Sequence, residues 1–490
     1  MVVADSLETF LTDRGVHSRP LRHLLAQLST GPRALDELIR AAAVPRRTVE
    51  DLLAAAGAQR DGDTWSADVD PSLHAALPTT PGLRDSLAGY LAGVPAPQRA
   101  LDHVQADLDT MVRRAEWLDE TYYLPGAHLV CVGDHDLTAL AACTARPDLR
   151  ATVVDLDEAL LEYIDTTARA RGLDIRCLHA DFRFGVPPLE ADLVFTDPPY
   201  TPEGMRLFLA RAIESLRGPE GRIVVAYGYS ERNPALGLKV QQEVLRLGLV
   251  FEAVLPGFNR YLGAQAVGSA SDLYVLQPTA RSAKLAESVR DAGTAIYTHG
   301  PQSIEAAGTD PAAVAALLRL TRGDGTEQPD TRHPGWSEPV KATRPVAYDL
   351  TADPGPWLAR TLLAGPPVRV GALVGNNHPD ITDQRGQLAL RDLVDGKYRL
   401  TFHRSTPDGK HAVVVAEPVD SDGVRAELLR RAHGKLGNVW REALIKADRE
   451  LTKREAKDRV AELWPDESDL AARLIDLPRH RVAAILTAAG

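Results

Sequence analysis

Between residues 129 and 200 the chain places acidic residues at the ends of four strand-like segments in succession. Short apolar runs rich in β-branched residues alternate with polar turns and helical stretches, which is the pattern of parallel strands in an α/β sheet. Ligands of such sheets bind at the carboxyl ends of the strands. The sequence therefore predicts that these acids meet around one ligand: Asp134 with Asp136, Asp155, Asp181 and Asp197.

The length and charge of the chain limit the functions that it can have. At 490 residues it exceeds one ordinary core, and we expect roughly two to four domains. The formal net charge of −11 disfavours a dedicated nucleic-acid binder and suits a cationic ligand. The 3 cysteines have no C-x-x-C spacing, so neither a zinc cluster nor a disulfide framework is indicated. Because no apolar run approaches a membrane span and the N-terminus lacks a secretory signal, we expect a cytoplasmic protein.

The first 78 residues are predicted to form a small helical domain. Three helices, over Pro20–Leu28, Ala34–Ala42 and Arg47–Ala56, are followed by a short hairpin between residues 57 and 67, which is the winged-helix order.

The third of these helices begins where a DNA-binding protein would place its base contacts. It starts with Arg46-Arg47-Thr48 and then turns acidic and apolar. Because only these arginines are basic there, we favour a packing or dimerisation role for the domain over DNA binding.

The rest of the chain is divided into a catalytic domain, a linker and a second folded unit. Residues 79–280 are predicted to be a Rossmann-like, methyltransferase-type α/β domain with a closing antiparallel strand pair, and residues 281–340 a flexible linker with one helix over 311–322. Residues 341–490 are predicted to be an α+β domain of unknown role. Its predicted strands are Val368–Val374, Gln387–Leu393, Tyr398–Arg404 and Ala412–Ala416, with helices from about Gly423 onwards.

Two of the strand-end acids are placed to hold a nucleoside. Asp155 can accept both hydroxyl hydrogen bonds of a ribose, because a carboxylate has two oxygens for a vicinal diol. The alternative for that turn is a helix cap, a role that we assign to Asp157. Asp181 would reach the adenine amino group, although a plain surface turn also explains it.

The sequence Asp197-Pro198-Pro199-Tyr200 is the most specific local motif. Two prolines fix the backbone after the strand, so the carboxylate of Asp197 and the carbonyl of Pro198 can accept from one nitrogen. That geometry orients an amine lone pair towards an electrophilic carbon, and Tyr200 can cover a cation. An ordinary proline-rich turn is the alternative.

The turn Gly133-Asp134-His135-Asp136 departs from the glycine-rich loop of ordinary methyltransferases. Two carboxylates would repel the carboxylate of S-adenosylmethionine and attract an amine or a donor that has lost its carboxylate. This turn therefore favours aminopropyl over methyl transfer, unless it is merely a solvated acidic turn.

Together these motifs resemble the branched-chain polyamine synthase, or bis(aminopropyl)spermidine synthase, family. The run from Val132 to Ala141 is similar to the Gly-Asp-Asp-Asp-Leu-Thr signature of that family, and the likeness covers roughly residues 1–280. The resemblance implies a winged-helix-like domain before a Rossmann-like catalytic domain, and aminopropyl transfer from decarboxylated S-adenosylmethionine to polyamine nitrogens. The other similar segments are Asp102 to Gln105, Arg113-Arg114, Val154 to Glu158, Asp181 to Arg183, Phe195 to Pro199 and Phe258 to Tyr261.

The chain differs from the family pattern at His135, Tyr200 and Arg260, where the family has acidic residues. Each change makes the site less negative, so the acceptor is expected to be shorter, only partly cationic, or bound less tightly. Arg260 could also meet a carboxylate, which would allow intact S-adenosylmethionine as donor.

We therefore expect an aminopropyltransferase-like enzyme without a metal, acting on a small-molecule amine and assembled as a homodimer. The predicted catalytic residues are Asp134, Asp136, Asp197, Pro198 and Tyr200, with Asp136 taking the proton from the amine. The predicted cofactor-binding residues are Gly133, Asp155, Asp181 and Gln105.

Two alternatives remain open. The first is methyl or 3-amino-3-carboxypropyl transfer from intact S-adenosylmethionine to an amine. The second is a winged-helix regulator whose Rossmann-like part senses a ligand. Nucleic acid and membrane partners are not expected.

Overall fold

The computed structural model describes residues 2–74, 80–263, 269–289, 295–297 and 310–490. Within these ranges no helix is both long and apolar enough to cross a membrane.

The N-terminal unit contains the three predicted helices and the hairpin, together with a first helix that we did not predict. A core of leucines, with Leu11, Leu24 and Leu52 fully buried, holds these helices together. A three-stranded antiparallel sheet of order β1-β3-β2 closes the unit. The elements are α1 (Val2–Arg14), α2 (Arg19–Ser29), β1 (Arg33–Ala34), α3 (Leu35–Ala42), α4 (Arg46–Ala55), β2 (Gln59–Asp61), β3 (Thr64–Ser66) and α5 (Pro71–His74).

Arg46 at the start of α4 forms an ion pair with Glu50 on the same helix, at 2.8 Å. The winged-helix assignment of this unit stays a prediction.

The central unit is built on a seven-stranded sheet, as the sequence predicted. Its strand order is β6-β5-β4-β7-β8-β10-β9, in which β4 to β8 run parallel and β10 runs antiparallel to both of its neighbours. The order reverses between β4 and β7, and the crevice at such a switch point is where α/β sheets bind ligands. The elements are α6 (Leu83–Gly93), α7 (Leu108–Thr121), β4 (His128–Val132), α8 (Thr138–Ala145), β5 (Arg150–Asp155), α9 (Glu158–Arg171), β6 (Ile175–His179), β7 (Leu193–Thr196), α10 (Pro202–Ser215), β8 (Arg222–Tyr227), α11 (Pro234–Arg246), β9 (Leu249–Arg260), β10 (Ala270–Pro278) and α12 (Ser282–Glu287).

The C-terminal unit has a five-stranded mixed sheet of order β11-β12-β13-β15-β14, with helices around it. The elements are α13 (Pro311–Arg322), β11 (Asp330–Arg332), β12 (Val346–Asp349), α14 (Trp357–Ala364), β13 (Val370–Gly375), α15 (Pro379–Thr382), α16 (Gln384–Val394), β14 (Tyr398–His403), β15 (His411–Pro418), α17 (Val424–Arg430), α18 (Leu436–Ala447), α19 (Lys453–Leu463), α20 (Glu467–Ala471) and α21 (Arg479–Ala488).

Two predictions for this part of the chain were wrong. Residues 387–393, predicted as a strand, lie in the helix α16, because Leu390, Leu393 and Val394 are buried at helical spacing while Leu388 is 46% exposed. Residues 330–332, predicted as part of a flexible linker, form the strand β11, which pairs with β12. The sequence did predict α13 itself, with the bounds observed.

The C-terminal unit packs on the central unit beside the strand ends. The guanidinium of Arg360 on α14 pairs with the half-buried carboxylate of Glu158 at the start of α9, and the backbone N–H of Arg479 donates to the same carboxylate at 2.8 Å. These contacts lower the pKa of Glu158 to about 2, against the opposing effect of burial, which is larger than any single one of them.

We predict that α13 is part of the folded core. Leu317 is fully buried against the C-terminal sheet, so Leu317→Ala should lower the free energy of unfolding by about 2–5 kcal/mol. The measurement is the urea midpoint of the full chain, with Arg319→Ala on the exposed face of α13 as the control. Equal midpoints for both variants would show that residues 310–322 are a linker after all.

Candidate active site

A cavity of about 280 Å³ lies at the carboxyl ends of β4, β5 and β7. Its walls combine acidic, aromatic and histidine side chains from well-separated parts of the chain. The lining residues that the following paragraphs use are Arg99, His103, Arg114, Gly133, Asp134, His135, Asp136, Asp155, Asp181, Asp197, Pro198, Tyr200, Tyr261, Ile296 and Tyr297.

Gly133 ends β4 with a backbone φ of +74°, a conformation that side chains other than glycine rarely adopt. A Cβ atom at this position would lie 3.4 Å from the ring of Phe208 and 4.0 Å from a carboxylate oxygen of Asp155. The glycine therefore keeps the backbone close to the floor of the cavity, and its predicted cofactor contact stays a prediction.

Asp134 caps a helix, and its predicted catalytic role stays a prediction. Its two carboxylate oxygens accept hydrogen bonds from the backbone N–H groups of Thr138 and Ala139, at 2.7 and 3.0 Å, in the first turn of α8. Burial raises the pKa of Asp134 to about 8, although the two N–H donors act in the opposite direction.

Asp136 holds a buried arginine, and its predicted role as anchor and proton acceptor for the substrate amine stays a prediction. One oxygen accepts from the backbone N–H of Ala106 at 2.6 Å, and the other accepts from Arg114 at 2.8 Å. Only 6% of its side chain is exposed.

Arg114 connects the two carboxylates on either side of the switch point. Its guanidinium is fully buried and donates to Asn259 at 2.8 Å, to Asp136 at 2.8 Å and to Asp197 at 3.1 Å. The group also lies over the ring of Phe195, 4.7 Å from its centre. One positive charge thus partly neutralises two negative ones.

Asp197 follows β7 and opens to the cavity, since 20% of its side chain is exposed. Its oxygens accept from the hydroxyl of Tyr261 at 2.6 Å and from the hydroxyl of Tyr200 at 3.1 Å. Burial and the nearby charge of Asp136 raise the pKa of Asp197 to about 7, and Arg114 opposes this rise. Asp197 is therefore the acid best suited to exchange a proton near neutral pH.

For Asp155 and Asp157, the structure confirms one of the two predicted roles, the helix cap. Asp157 caps α9 by accepting from the N–H groups of Ala159 and Leu160, at 3.0 and 3.3 Å. Asp155 ends β5 at the cavity wall and accepts from two backbone N–H groups, those of Asp134 and Asp157, at 3.1 and 2.8 Å. Burial raises its pKa to about 6, and its ribose contact stays a prediction.

Asp181 lines the cavity but cannot offer an oxygen to adenine in this structure. One oxygen accepts from the backbone N–H and the Nε of Arg183, and the other accepts from the Nη2 of Arg183 and from the indole N–H of Trp357, at 2.8 Å. Because a carboxylate oxygen accepts about two hydrogen bonds, both oxygens are filled by protein donors, and the adenine contact of Asp181 stays a prediction.

Gln105 and Arg260 are not among the lining residues of the cavity. Gln105 is buried beside the cavity, and its predicted cofactor contact stays a prediction. Arg260 is exposed and folds back to donate to the carbonyl oxygens of Gly257 and Asn259.

His135, which departs from the family pattern, stacks on His103 with ring centres 4.4 Å apart. Its two ring nitrogens are buried without a partner among the described residues, and burial lowers its pKa to about 4. The pair is therefore neutral at neutral pH and adds no positive charge to the cavity.

The sequence did not single out three residues that the fold brings into the site. Arg114 was noted only as one of a basic pair, and Tyr261 only within a similar segment. Tyr297 lies in a stretch predicted as linker. An arginine beside an apolar helix face was the available signal for Arg114, whereas nothing local marked Tyr297.

Comparison with known proteins identifies the domain that carries this cavity. Residues 88–282 match the family described as the branched-chain polyamine synthase A C-terminal domain. An uncharacterized protein of Methanocaldococcus jannaschii is 33% identical over 179 residues, covering 36% of this chain and 45% of that protein. The N(4)-bis(aminopropyl)spermidine synthase of Thermococcus kodakarensis is 29% identical over 175 residues, covering 34% of this chain and 49% of that protein.

A solved structure is also similar, the branched-chain polyamine synthase from Thermus thermophilus in complex with N4-aminopropylspermidine and 5′-methylthioadenosine. It has a TM-score of 0.37 and 21% identity, and the match covers 53% of this chain and 87% of that one. The chain spans less than half the length of the curated relatives named here. Residues 88–282 are thus similar to the branched-chain polyamine synthase family, the family that the sequence motifs indicated.

Proposed function

We propose that the protein transfers an aminopropyl group from decarboxylated S-adenosylmethionine to the nitrogen of an amine or polyamine, releasing 5′-methylthioadenosine. The observation that carries this proposal is the position of Asp197, an open carboxylate with a pKa of about 7 at the switch point of the sheet. The curated relatives named as bis(aminopropyl)spermidine synthases support the same reaction class.

The chemistry requires an amine that has lost a proton. A free amine of this kind has a pKa of about 10, so Asp197 accepts the proton and passes it to solvent. The nitrogen then attacks the carbon beside the sulfonium sulfur. The new N–C bond forms as the C–S bond breaks, and methylthioadenosine leaves as a neutral thioether.

Positioning supplies the rest of the catalysis, because the leaving group needs no stabilising charge. The carbonyl of Pro198 and the carboxylate of Asp197 aim the nitrogen. The hydroxyl groups of Tyr200 and Tyr261 fix that carboxylate by donating to it.

We propose that the acceptor carries few positive charges. Arg114 offsets part of the negative charge of Asp136 and Asp197, and the stacked His103 and His135 are neutral at neutral pH. A long polycation would find fewer carboxylates here than the family signature offers, so a short or partly cationic amine fits better.

Asp197→Asn should lower the turnover about 10²–10⁴-fold, because the amide cannot accept the proton from the substrate amine. In the unmodified protein the rate should fall as the pH drops through about 7, since protonated Asp197 is not a base. The measurement is methylthioadenosine release from decarboxylated S-adenosylmethionine with a panel of amines between pH 6 and 9.

Asp85→Asn, at an exposed position on α6, is the matched control and should behave like the unmodified protein. No methylthioadenosine with any amine, from protein shown to be folded, would contradict the proposed reaction.

Arg114→Met should shift the acid limb of the pH–rate profile to higher pH. Removing the positive charge raises the pKa of Asp197, because Arg114 now lowers it. The same change should cost about 3–5 kcal/mol of stability, since it leaves buried carboxylates without their partner.

Arg114→Lys keeps the charge and should shift the profile less. It also serves as the test if the methionine variant does not fold. An unchanged profile in both variants would refute this role of Arg114.

Transfer from intact S-adenosylmethionine is the second candidate, supported by Tyr200 in the Asp-Pro-Pro-Tyr motif and by one basic residue. Arg99 lines the cavity and is exposed, so it can approach a donor carboxylate where Arg260 cannot.

Calorimetric titration with the two donors tests this candidate. We expect the unmodified protein to bind the decarboxylated donor more tightly, and Arg99→Ala to leave that affinity unchanged. Tighter binding of intact S-adenosylmethionine that is lost in Arg99→Ala, with S-adenosylhomocysteine as product, would establish methyl transfer instead.

We also propose that the predicted domain of residues 1–78 is a winged-helix-like module with a packing role. Its helix α4 begins with Arg46, which is paired with Glu50, and this pairing leaves less positive charge for a phosphate contact.

A further inference from the structure

On the side of the cavity formed by Asp155 and Asp181, residues from outside the domain shared with the family contact residues inside it. Trp357 of the C-terminal unit donates to Asp181 at 2.8 Å, and its ring lies 4.9 Å from the guanidinium carbon of Arg183. Arg183 and Trp357 together occupy both oxygens of Asp181. Asp181, which the sequence assigned to the adenine amino group, therefore has both of its oxygens occupied by donors from the protein itself.

Tyr297 stands next to these residues and faces the cavity. The carbonyl of its neighbour Ile296 accepts from the hydroxyl of Thr201, at 2.9 Å, directly after the Asp-Pro-Pro-Tyr motif. The ring of Tyr297 packs against Arg183, 5.9 Å from the guanidinium carbon to the ring centre. Only 6% of Tyr297 is exposed, and the contact of its neighbour Ile296 with Thr201 and that of its own ring with Arg183 hold it in place from two sides.

The hydroxyl of Tyr297 has no hydrogen-bond partner among the described residues, although most buried tyrosine hydroxyls have one. Burial raises its pKa well above the ordinary value, and the acids Asp181 and Asp155 contribute to that rise. The group is therefore a protonated hydroxyl near the two acids on the nucleoside side, able both to donate and to accept.

We propose that the hydroxyl of Tyr297 hydrogen-bonds to the nucleoside of the sulfonium donor, in place of the contact that Asp181 can no longer make. This inference rests on the proposed function, since it requires a nucleoside in the cavity. It makes Tyr297, which lies after the shared domain, part of the donor site, next to Arg183.

The test is calorimetric binding of methylthioadenosine to the full chain. Tyr297→Phe removes only the hydroxyl and should weaken binding about 3- to 10-fold, the usual effect of one neutral hydrogen bond. Tyr348→Phe, at a buried tyrosine on β12 away from the cavity, is the matched control and should bind as the unmodified protein does. Equal affinity in Tyr297→Phe and the unmodified protein would overturn the inference.

A second variant separates this contact from the one first assigned to Asp181. Trp357→Phe keeps an aromatic ring beside Arg183 but frees an oxygen of Asp181. If Tyr297 is the contact, this variant should not bind methylthioadenosine more tightly. Tighter binding in Trp357→Phe, together with unchanged binding in Tyr297→Phe, would assign the nucleoside to Asp181. If the unmodified, folded protein does not bind methylthioadenosine at all, the proposed function fails and the inference fails with it.

Discussion

The buried guanidinium of Arg114 is the interaction on which the candidate site depends. It comes from α7, before the first strand of the central sheet, and it joins Asp136 after β4 to Asp197 after β7. Two carboxylates this close would raise each other's pKa, and one would take up a proton. With Arg114 between them, Asp197 stays near the point where it can exchange a proton at neutral pH. The pKa of Asp197 is thus set by burial, which raises it, and by the shared positive charge of Arg114, which lowers it.

The acids at the strand ends serve two different purposes, and their hydrogen bonds separate them. Asp134 and Asp157 accept from the free N–H groups at the starts of α8 and α9. The first N–H groups of every helix need such partners, because they have none within the helix. Asp155 and Asp197 keep a face towards the cavity. Helix caps and ligand contacts favour the same residue types at the same turns, so sequence position alone does not distinguish them.

The C-terminal unit has a place in this arrangement that its own sequence does not suggest. Its helix α14 contributes Arg360, which pairs with Glu158, and Trp357, which donates to Asp181. Both contacts fall on turns at the carboxyl ends of β5 and β6, on the side expected for the nucleoside. The unit therefore supports one wall of the cavity.

The sequence by itself determined the elements whose signals are local. Short β-branched runs ending in acids predicted the parallel strands and their common edge, and the run over residues 311–322 predicted α13 with its observed bounds. The family resemblance followed from motifs within single turns. Tertiary structure decided which side chains meet: Arg114 reaches Asp197 across 83 positions and Trp357 reaches Asp181 across 176. No periodicity or local composition records such a pairing, because the contact exists only after the chain has folded and the hydrogen bonds of each carboxylate have been distributed.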